Sequence, residues 1–225
     1  MSGRKLFVSI AGNIGSGKSS LTKLLSEHFN WVPFFESVDD NPYLKDFYSD
    51  MKRWSFHLQV YFLSNRFKNH KKISEMSESV IQDRSIYEDA EIFARNLHEM
   101  GNMSVRDYES YNELFKVMIP YLRRPDILIY LRANVETLLR QIKLRGRGFE
   151  QGITKDYLVR LNASYEEWIE KYNEETDLSD ASLNKLLIIE SDDLDFVYNR
   201  KHLDEIVRKV EAAIDSEATA HREVA

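Results

Sequence analysis

The run Gly12-Asn13-Ile14-Gly15-Ser16-Gly17-Lys18-Ser19, followed by Ser20, sets glycines, one lysine and hydroxyls at the spacing GxxxxGK[ST]. Glycines at these steps let the backbone curl until successive N–H groups face one anion, at the start of a helix whose dipole has the same sign. Gly12, Asn13, Ile14, Gly15, Ser16, Gly17, Lys18, Ser19 and Ser20 are therefore candidates for holding a nucleoside triphosphate such as ATP. Lys18 reaches the β and γ phosphates, and Ser19 offers a hydroxyl to Mg²⁺. A second basic stretch, Arg145-Gly146-Arg147-Gly148-Phe149-Glu150-Gln151-Gly152, sets two guanidinium groups between glycines. Such a segment can close over a triphosphate and offset charge on the transferring group. Alone it reads more readily as a helix end whose arginines complement the dipole, and the neighbouring phosphate-loop motif favours the lid.

What accepts the phosphate depends on other residues. A hydrolase or switch needs a group that positions water; a nucleotide kinase needs arginines for the acceptor's own phosphate; a nucleoside kinase needs a carboxylate to take a hydroxyl proton. Glu36 follows the apolar run Val32 to Phe35, and a carboxylate at the carboxyl end of a sheet strand faces the crevice where an acceptor would lie. Asp83 and Arg84 follow Val80 to Gln82 at the same edge. Asp83 can hold magnesium through water, and Arg84 offers a fork of donors to the acceptor oxygen or to Glu36. A structural ion pair is the competing reading of these two.

These side chains need a scaffold that brings several strand ends together. Short apolar runs at Leu6 to Ala11, Val32 to Phe35, Val80 to Gln82, Ile127 to Leu131 and Leu186 to Ile189 alternate with helical periodicity. The helices are expected at Lys18 to His28, Arg53 to Met76, Tyr87 to Met100, Val105 to Tyr121, Val135 to Leu144, Thr154 to Tyr172 and Leu203 to Ile214. This alternation predicts an α/β fold with a five-stranded parallel sheet. At 225 residues, 43% hydrophobic, the chain suits one core, a single domain over 1–225, with 215–225 expected to fray. The net charge of −6 argues against a nucleic-acid partner, and the absence of cysteine removes thiolate chemistry and fits a reducing interior. The first apolar run is too short to span a membrane, so a cytoplasmic protein is expected. Aromatics crowd two segments, with Trp54, Phe56, Tyr61, Phe62 and Phe67 on one and Tyr108, Tyr111, Phe115 and Tyr121 on the other. They suit either extra core or a contact with a second subunit.

The combination of Gly12 to Ser19, Glu36, Asn41-Pro42-Tyr43-Leu44 with Phe47-Tyr48, Arg53-Trp54-Ser55-Phe56-His57-Leu58-Gln59, Asp83-Arg84-Ser85-Ile86-Tyr87-Glu88-Asp89 and Arg145-Gly146-Arg147 resembles the deoxynucleoside kinase family. The wording is most similar to that of bacterial deoxyadenosine/deoxycytidine kinases, and it extends to about Tyr172. The resemblance implies a P-loop kinase fold with an arginine-bearing lid at about 145–153, and transfer of the ATP γ-phosphate to the 5′-hydroxyl of a deoxynucleoside. It implies Glu36 as general base, Arg84 beside it, and Gln59 in a paired hydrogen bond to the base. Arg66 linked to Asp89 resembles the pair that reads amino-substituted bases, and Phe93 the aromatic that stacks on the base. Tyr48 and Glu150 resemble the pair that fastens the 3′-hydroxyl. It also implies that Lys18, with Mg²⁺ on Ser19 and Asp83, holds the donor, and that Arg145 and Arg147 act from the lid.

The chain also departs from the family pattern. Asp83 stands where glutamate is frequent, and Gln141 where some relatives carry a third lid arginine; neighbouring Arg140 is expected to point elsewhere. The resemblance further implies a homodimer, and feedback inhibition by deoxynucleoside triphosphates. The residues themselves agree with a nucleoside site, because an amide donates and accepts at once within a flat apolar slot formed by Trp54, Phe56, Phe62 and Phe93. His57 is left as a surface or packing residue. A nucleoside monophosphate kinase would need arginines around the acceptor, and a regulatory P-loop protein no small acceptor.

Overall fold

The computed structural model describes residues 5–36, 40–178 and 185–223. Five parallel strands form one sheet in the order β2-β3-β1-β4-β5, from Val32–Phe34 (β2), Val80–Asp83 (β3), Phe7–Gly12 (β1), Ile127–Arg132 (β4) and Lys185–Glu190 (β5). The central strand β1 is buried along its whole length, as its unbroken FVSIAG run requires of a strand covered on both faces. Because all strands point the same way, their carboxyl ends deliver Gly12, Glu36 and Asp83 to one edge.

Two apolar layers cover the sheet. On one side α1 (Lys18–Phe29) and α9 (Arg200–Glu223) set Leu21, Leu25, Ile206 and Val210 against Val8, Ile10 and Ile129. On the other, α3 (Met51–Glu75), α6 (Val105–Met118), α7 (Val135–Arg145) and α8 (Lys155–Leu178) gather Leu58, Leu63, Tyr111, Leu138, Leu158 and Tyr165 around Leu128 and Tyr130. The α3 aromatics Trp54, Phe56, Phe62 and Phe67 pack against this second layer, and Tyr111 is fully enclosed. Most of the aromatic surplus is core.

The expected strands are all present, with ends shifted by a residue or so. Three differences have physical causes. The helix expected over Tyr87 to Met100 is three pieces, α4 (Ile86–Glu88), a π-helical turn (Asp89–Ala94) and α5 (Arg95–Glu99). A π turn widens the helix locally and is a feature of functional sites rather than of side-chain periodicity. A short helix α2 (Leu44–Ser49) forms between β2 and α3, anchored by buried Leu44 and Phe47. Helix α9 continues to Glu223, into the segment expected to fray from Asp215. No glycine or proline interrupts Asp215 to Glu223, and Ala and Glu are good helix formers. Residues 224 and 225 lie outside the described residues. Between α5 and α6 Gly101 ends the helix, with φ 73° where L-residues are strained.

Candidate active site

The phosphate loop joins β1 to α1. Gly15 and Gly17 take φ of 88° and 93°, and a side chain at Gly15 would come within 2.8 Å of the Leu138 carbonyl. Only glycine fits both demands. Asn13 braces the loop from behind: its Nδ2 donates to the Leu158 carbonyl at 3.1 Å and to Asn162 Oδ1, while its Oδ1 accepts from Ile14 N at 2.7 Å. Lys18 Nζ donates to the Asn13 carbonyl at 2.8 Å, so the ammonium lies curled inside the loop. Burial first, then the nearby Arg84 cation, lower its pKa to about 7, although Asp83, Glu88 and Glu36 pull the other way.

Ser19 Oγ donates to Asp83 Oδ2 at 2.5 Å, while Asp83 Oδ1 is buried with no hydrogen-bond partner. An uncompensated carboxylate oxygen beside a P-loop hydroxyl fits a magnesium ion.

Across the cleft, Glu36 receives Arg66 Nη2 at 2.6 Å, and Arg84 Nε lies 3.5 Å from the same oxygen. Burial alone raises the Glu36 pKa, but Arg84, Arg66, Lys18 and Arg147 together bring it below the usual carboxylate value. Arg66 also donates from Nε to Asp89 at 3.1 Å and from Nη1 to the Asp83 carbonyl at 2.8 Å. The expected Arg66–Asp89 pair therefore forms, but Arg66 is buried behind the cleft wall rather than lining it. Asp89 does line it, and burial raises its pKa to about 6 against the pull of Arg66. Arg84 adopts φ 66°, a left-handed conformation unusual for a residue with a side chain. Its guanidinium stacks 4.2 Å from the centre of the Phe93 ring, and its Nη1 donates to the Tyr165 hydroxyl at 3.2 Å.

Ile14, Gly15, Lys18, Ser19, Glu36, Tyr48, Gln59, Asp83, Arg84, Asp89, Phe93, Arg145, Arg147 and Glu150 line one cleft. Gln59 is buried there beside Leu58 and Phe62 in the lining, with its Oε1 unpartnered. Tyr48 stacks on Phe149 at the mouth of the cleft, and burial raises its pKa. From the lid, Arg145 clasps Glu150 through two bonds of 2.6 and 3.1 Å, with Arg147 3.7 Å from the same carboxylate. Tyr157, absent from the sequence-based set, also lines this cleft from α8.

A second cleft lies on the other side of the phosphate loop. Ser16, Gly17 and Ser20 meet there with Thr137, Arg140 and Gln141 of α7 and with the loop Ser191 to Tyr198 after β5. Arg140, which the sequence set aside, thus faces the loop, and Phe196 packs so closely on Gly17 that an added Cβ would lie 2.9 Å from its ring. No familiar motif marks Ser191 to Tyr198; only the topology, which returns β5 beside β4, brings it here.

With a phosphate loop at the centre of a 2-3-1-4-5 parallel sheet, a fixed carboxylate across the cleft and arginines on a lid, the molecule is a P-loop kinase. Comparison with known proteins narrows the class. The family model described as deoxynucleoside kinase matches residues 8–215, and the chain belongs to this family of phosphotransferases. It is 46% identical over 168 residues to a deoxyadenosine/deoxycytidine kinase of Bacillus subtilis, covering 74% of this chain and 77% of that one. A deoxyadenosine kinase of Lactobacillus acidophilus is 39% identical over 214 residues, covering 90% and 93%. Among solved structures, a deoxyadenosine kinase from M. mycoides with bound dATP superposes with a TM-score of 0.78 at 29% identity, covering 92% of this chain and 99% of that one.

Proposed function

We propose that this kinase phosphorylates the 5′-hydroxyl of deoxyadenosine first, with deoxycytidine and deoxyguanosine as further acceptors, using Mg²⁺-ATP as donor in nucleotide salvage. The observation that carries the reading is Glu36: a carboxylate kept ionised by Arg66 and Arg84, opening onto the same cleft as Lys18 and the Ser19–Asp83 pair. An ionised carboxylate can take the hydroxyl proton as the new P–O bond forms. Lys18 and the loop N–H groups hold the β and γ phosphates, and Arg145 and Arg147, released from Glu150, offset charge on the passing phosphoryl group. Magnesium, held by Ser19 and Asp83, supplies charge neutralisation on the donor phosphates.

The acceptor base fits between Phe93 and the Gln59 amide, whose orphaned oxygen calls for an N–H donor such as an exocyclic amine. Asp89, tied to Arg66, lies at the same wall. Tyr48 and Glu150 meet the 3′-hydroxyl side. The donor's base takes the second cleft, beside Arg140 and Phe196. The relatives' names, which include deoxyadenosine, deoxycytidine and deoxyguanosine kinases, support this set of acceptors.

The proposed unit is a single-domain chain acting in the cytoplasm as a homodimer. Leu114 and Val117 stand exposed on α6, and Tyr87, Phe115, Trp168 and Tyr172 line a hollow nearby, which supports a contact through α6 and α8. Sedimentation velocity checks this, a monomer at micromolar concentration counting against it. The function itself is tested by turnover of ATP with each of the four deoxynucleosides and adenosine, beside Glu36→Gln. The substitution should lower kcat by about a hundredfold or more. An unchanged kcat would remove Glu36 as base, and a thymidine preference would overturn the assignment of Asp89 and Arg66.

A further inference from the structure

Glu88 is wholly buried, and nothing in the reaction as described uses it. Its Oε2 accepts from Ser85 N at 2.8 Å and Ser85 Oγ at 3.2 Å, and the first of these is the glutamate half of the capping box that begins α4. Oε1 does something no helix start requires. It accepts from Gly12 N, the first N–H of the phosphate loop, at 3.3 Å and from the Tyr165 hydroxyl at 2.8 Å. That hydroxyl in turn receives Arg84 Nη1, and Arg84 flanks Glu36. The carboxylate thus lies at the junction of β1, the segment after β3, and α8. It also fixes the backbone immediately after the strained Arg84.

This arrangement has an electrostatic penalty. A buried negative charge behind a phosphate loop repels the triphosphate that the loop exists to hold, even though it also favours the charged form of Lys18. As packing alone, a neutral side chain would serve better. We infer that Glu88 is a positioning residue that locks the phosphate loop, through Gly12, to the Arg84–Glu36 pair, through Ser85 and Tyr165, and so sets the distance between donor phosphorus and acceptor oxygen. The inference rests on the reading of Glu36 as base.

Glutamine is the informative replacement. Gly12 N and Ser85 N are obligatory donors to opposite oxygens, and an amide can accept at only one of those places. Glu88→Gln must let go of either the loop or the segment that follows Arg84, while removing the repulsion on ATP. Tyr165→Phe cuts the second connection and leaves the carboxylate in place. The experiment measures kcat per active site, counted by calorimetric ATP stoichiometry, together with the ATP and deoxynucleoside dissociation constants of both variants and of the double variant.

Expected are a fall in kcat of about tenfold or more in each single variant, ATP binding no weaker than wild type when compared at pH 6, below the Lys18 pKa of about 7, and a double variant no worse than the poorer single one. A role confined to folding would lower melting temperature and active fraction but not kcat per site. The inference is overturned if kcat per site stays within about twofold of wild type. It is equally overturned if ATP binding weakens in step with kcat, or if the two losses multiply. Should Glu88→Gln fail to fold, Tyr165→Phe decides alone. Glu36→Gln run in parallel separates the two readings: full activity there removes the base, whereas loss there with normal Glu88→Gln turnover removes only the present inference.

Discussion

The buried state of Lys18 makes ATP binding a proton-uptake reaction. In the empty loop its pKa is lowered to about 7, chiefly by burial and then by Arg84, from an ordinary 10.5. At pH 8 only about one molecule in ten carries the ammonium. A bound triphosphate brings negative charge directly onto the Nζ and restores the charged form, because the opposite charge outweighs desolvation. Binding at pH 8 should then take up about 0.9 proton from solution. Each pH unit above about 7 should weaken ATP by about tenfold, or 1.4 kcal/mol, until the pKa of the complex is reached. The phosphate's own last proton leaves near pH 6 and does not interfere in this range. Titration calorimetry at pH 8 in buffers of different ionisation enthalpy reads the proton count directly. Lys18→Arg, permanently charged, should bind without buffer dependence. A buffer-independent enthalpy for the natural protein, with a dissociation constant flat from pH 7 to 9, would refute the reasoning.

Three further outcomes follow from the packing. Gln59→Leu removes an amide whose oxygen is unsatisfied in the empty cleft, so the melting temperature should hold or rise while kcat/KM for the deoxynucleoside falls about a hundredfold; equal losses of stability and activity would contradict this. Gly101→Ala and Gly15→Ala share a positive φ, but only Gly15 faces a carbonyl at 2.8 Å. The first should cost about 1 kcal/mol in denaturant melts and leave turnover intact, and the second should cost more and abolish ATP binding. His70 is buried with its edge on Phe7 and its pKa lowered to about 4, by burial and then by Arg66. Its neutral form contributes stability that is fully present above the unfolded value of about 6.5 and is lost as pH falls through 4. His70→Leu should remove about 3 kcal/mol of that acid dependence, seen as a shallower fall in unfolding free energy between pH 6.5 and 4.

What the sequence conveys about the site divides along a physical line. The phosphate loop is legible because every group that holds the anion comes from one continuous turn, and the turn's geometry demands glycine at Gly15 and Gly17. The strands are legible because a sheet covered on both faces needs unbroken apolar runs. Glu36 is legible as a strand-end carboxylate, but its nearest partner is not. Sequence proximity of Asp83 and Arg84 suggests Arg84, whereas the shorter bond comes from Arg66 on α3, at 2.6 Å against 3.5 Å. That preference arises only when α3 lies across the end of β3, bringing Arg66 to the Asp83 carbonyl.

The π turn and the second cleft were hidden for the same reason. A widened turn leaves the order of apolar residues unchanged, and Ser191 to Tyr198 acquires its place only through the pairing of β5 with β4. Glu88 is the sharpest case. Three residues after Ser85 it has the form of an ordinary helix start, and half of its hydrogen bonding is that. The other half reaches residues 76 and 77 positions away, Gly12 and Tyr165. The residues of the phosphate loop are the ones a short pattern encodes; those that hold the loop in register with the opposite wall of the cleft are distributed over the chain and become visible only as bonds between elements.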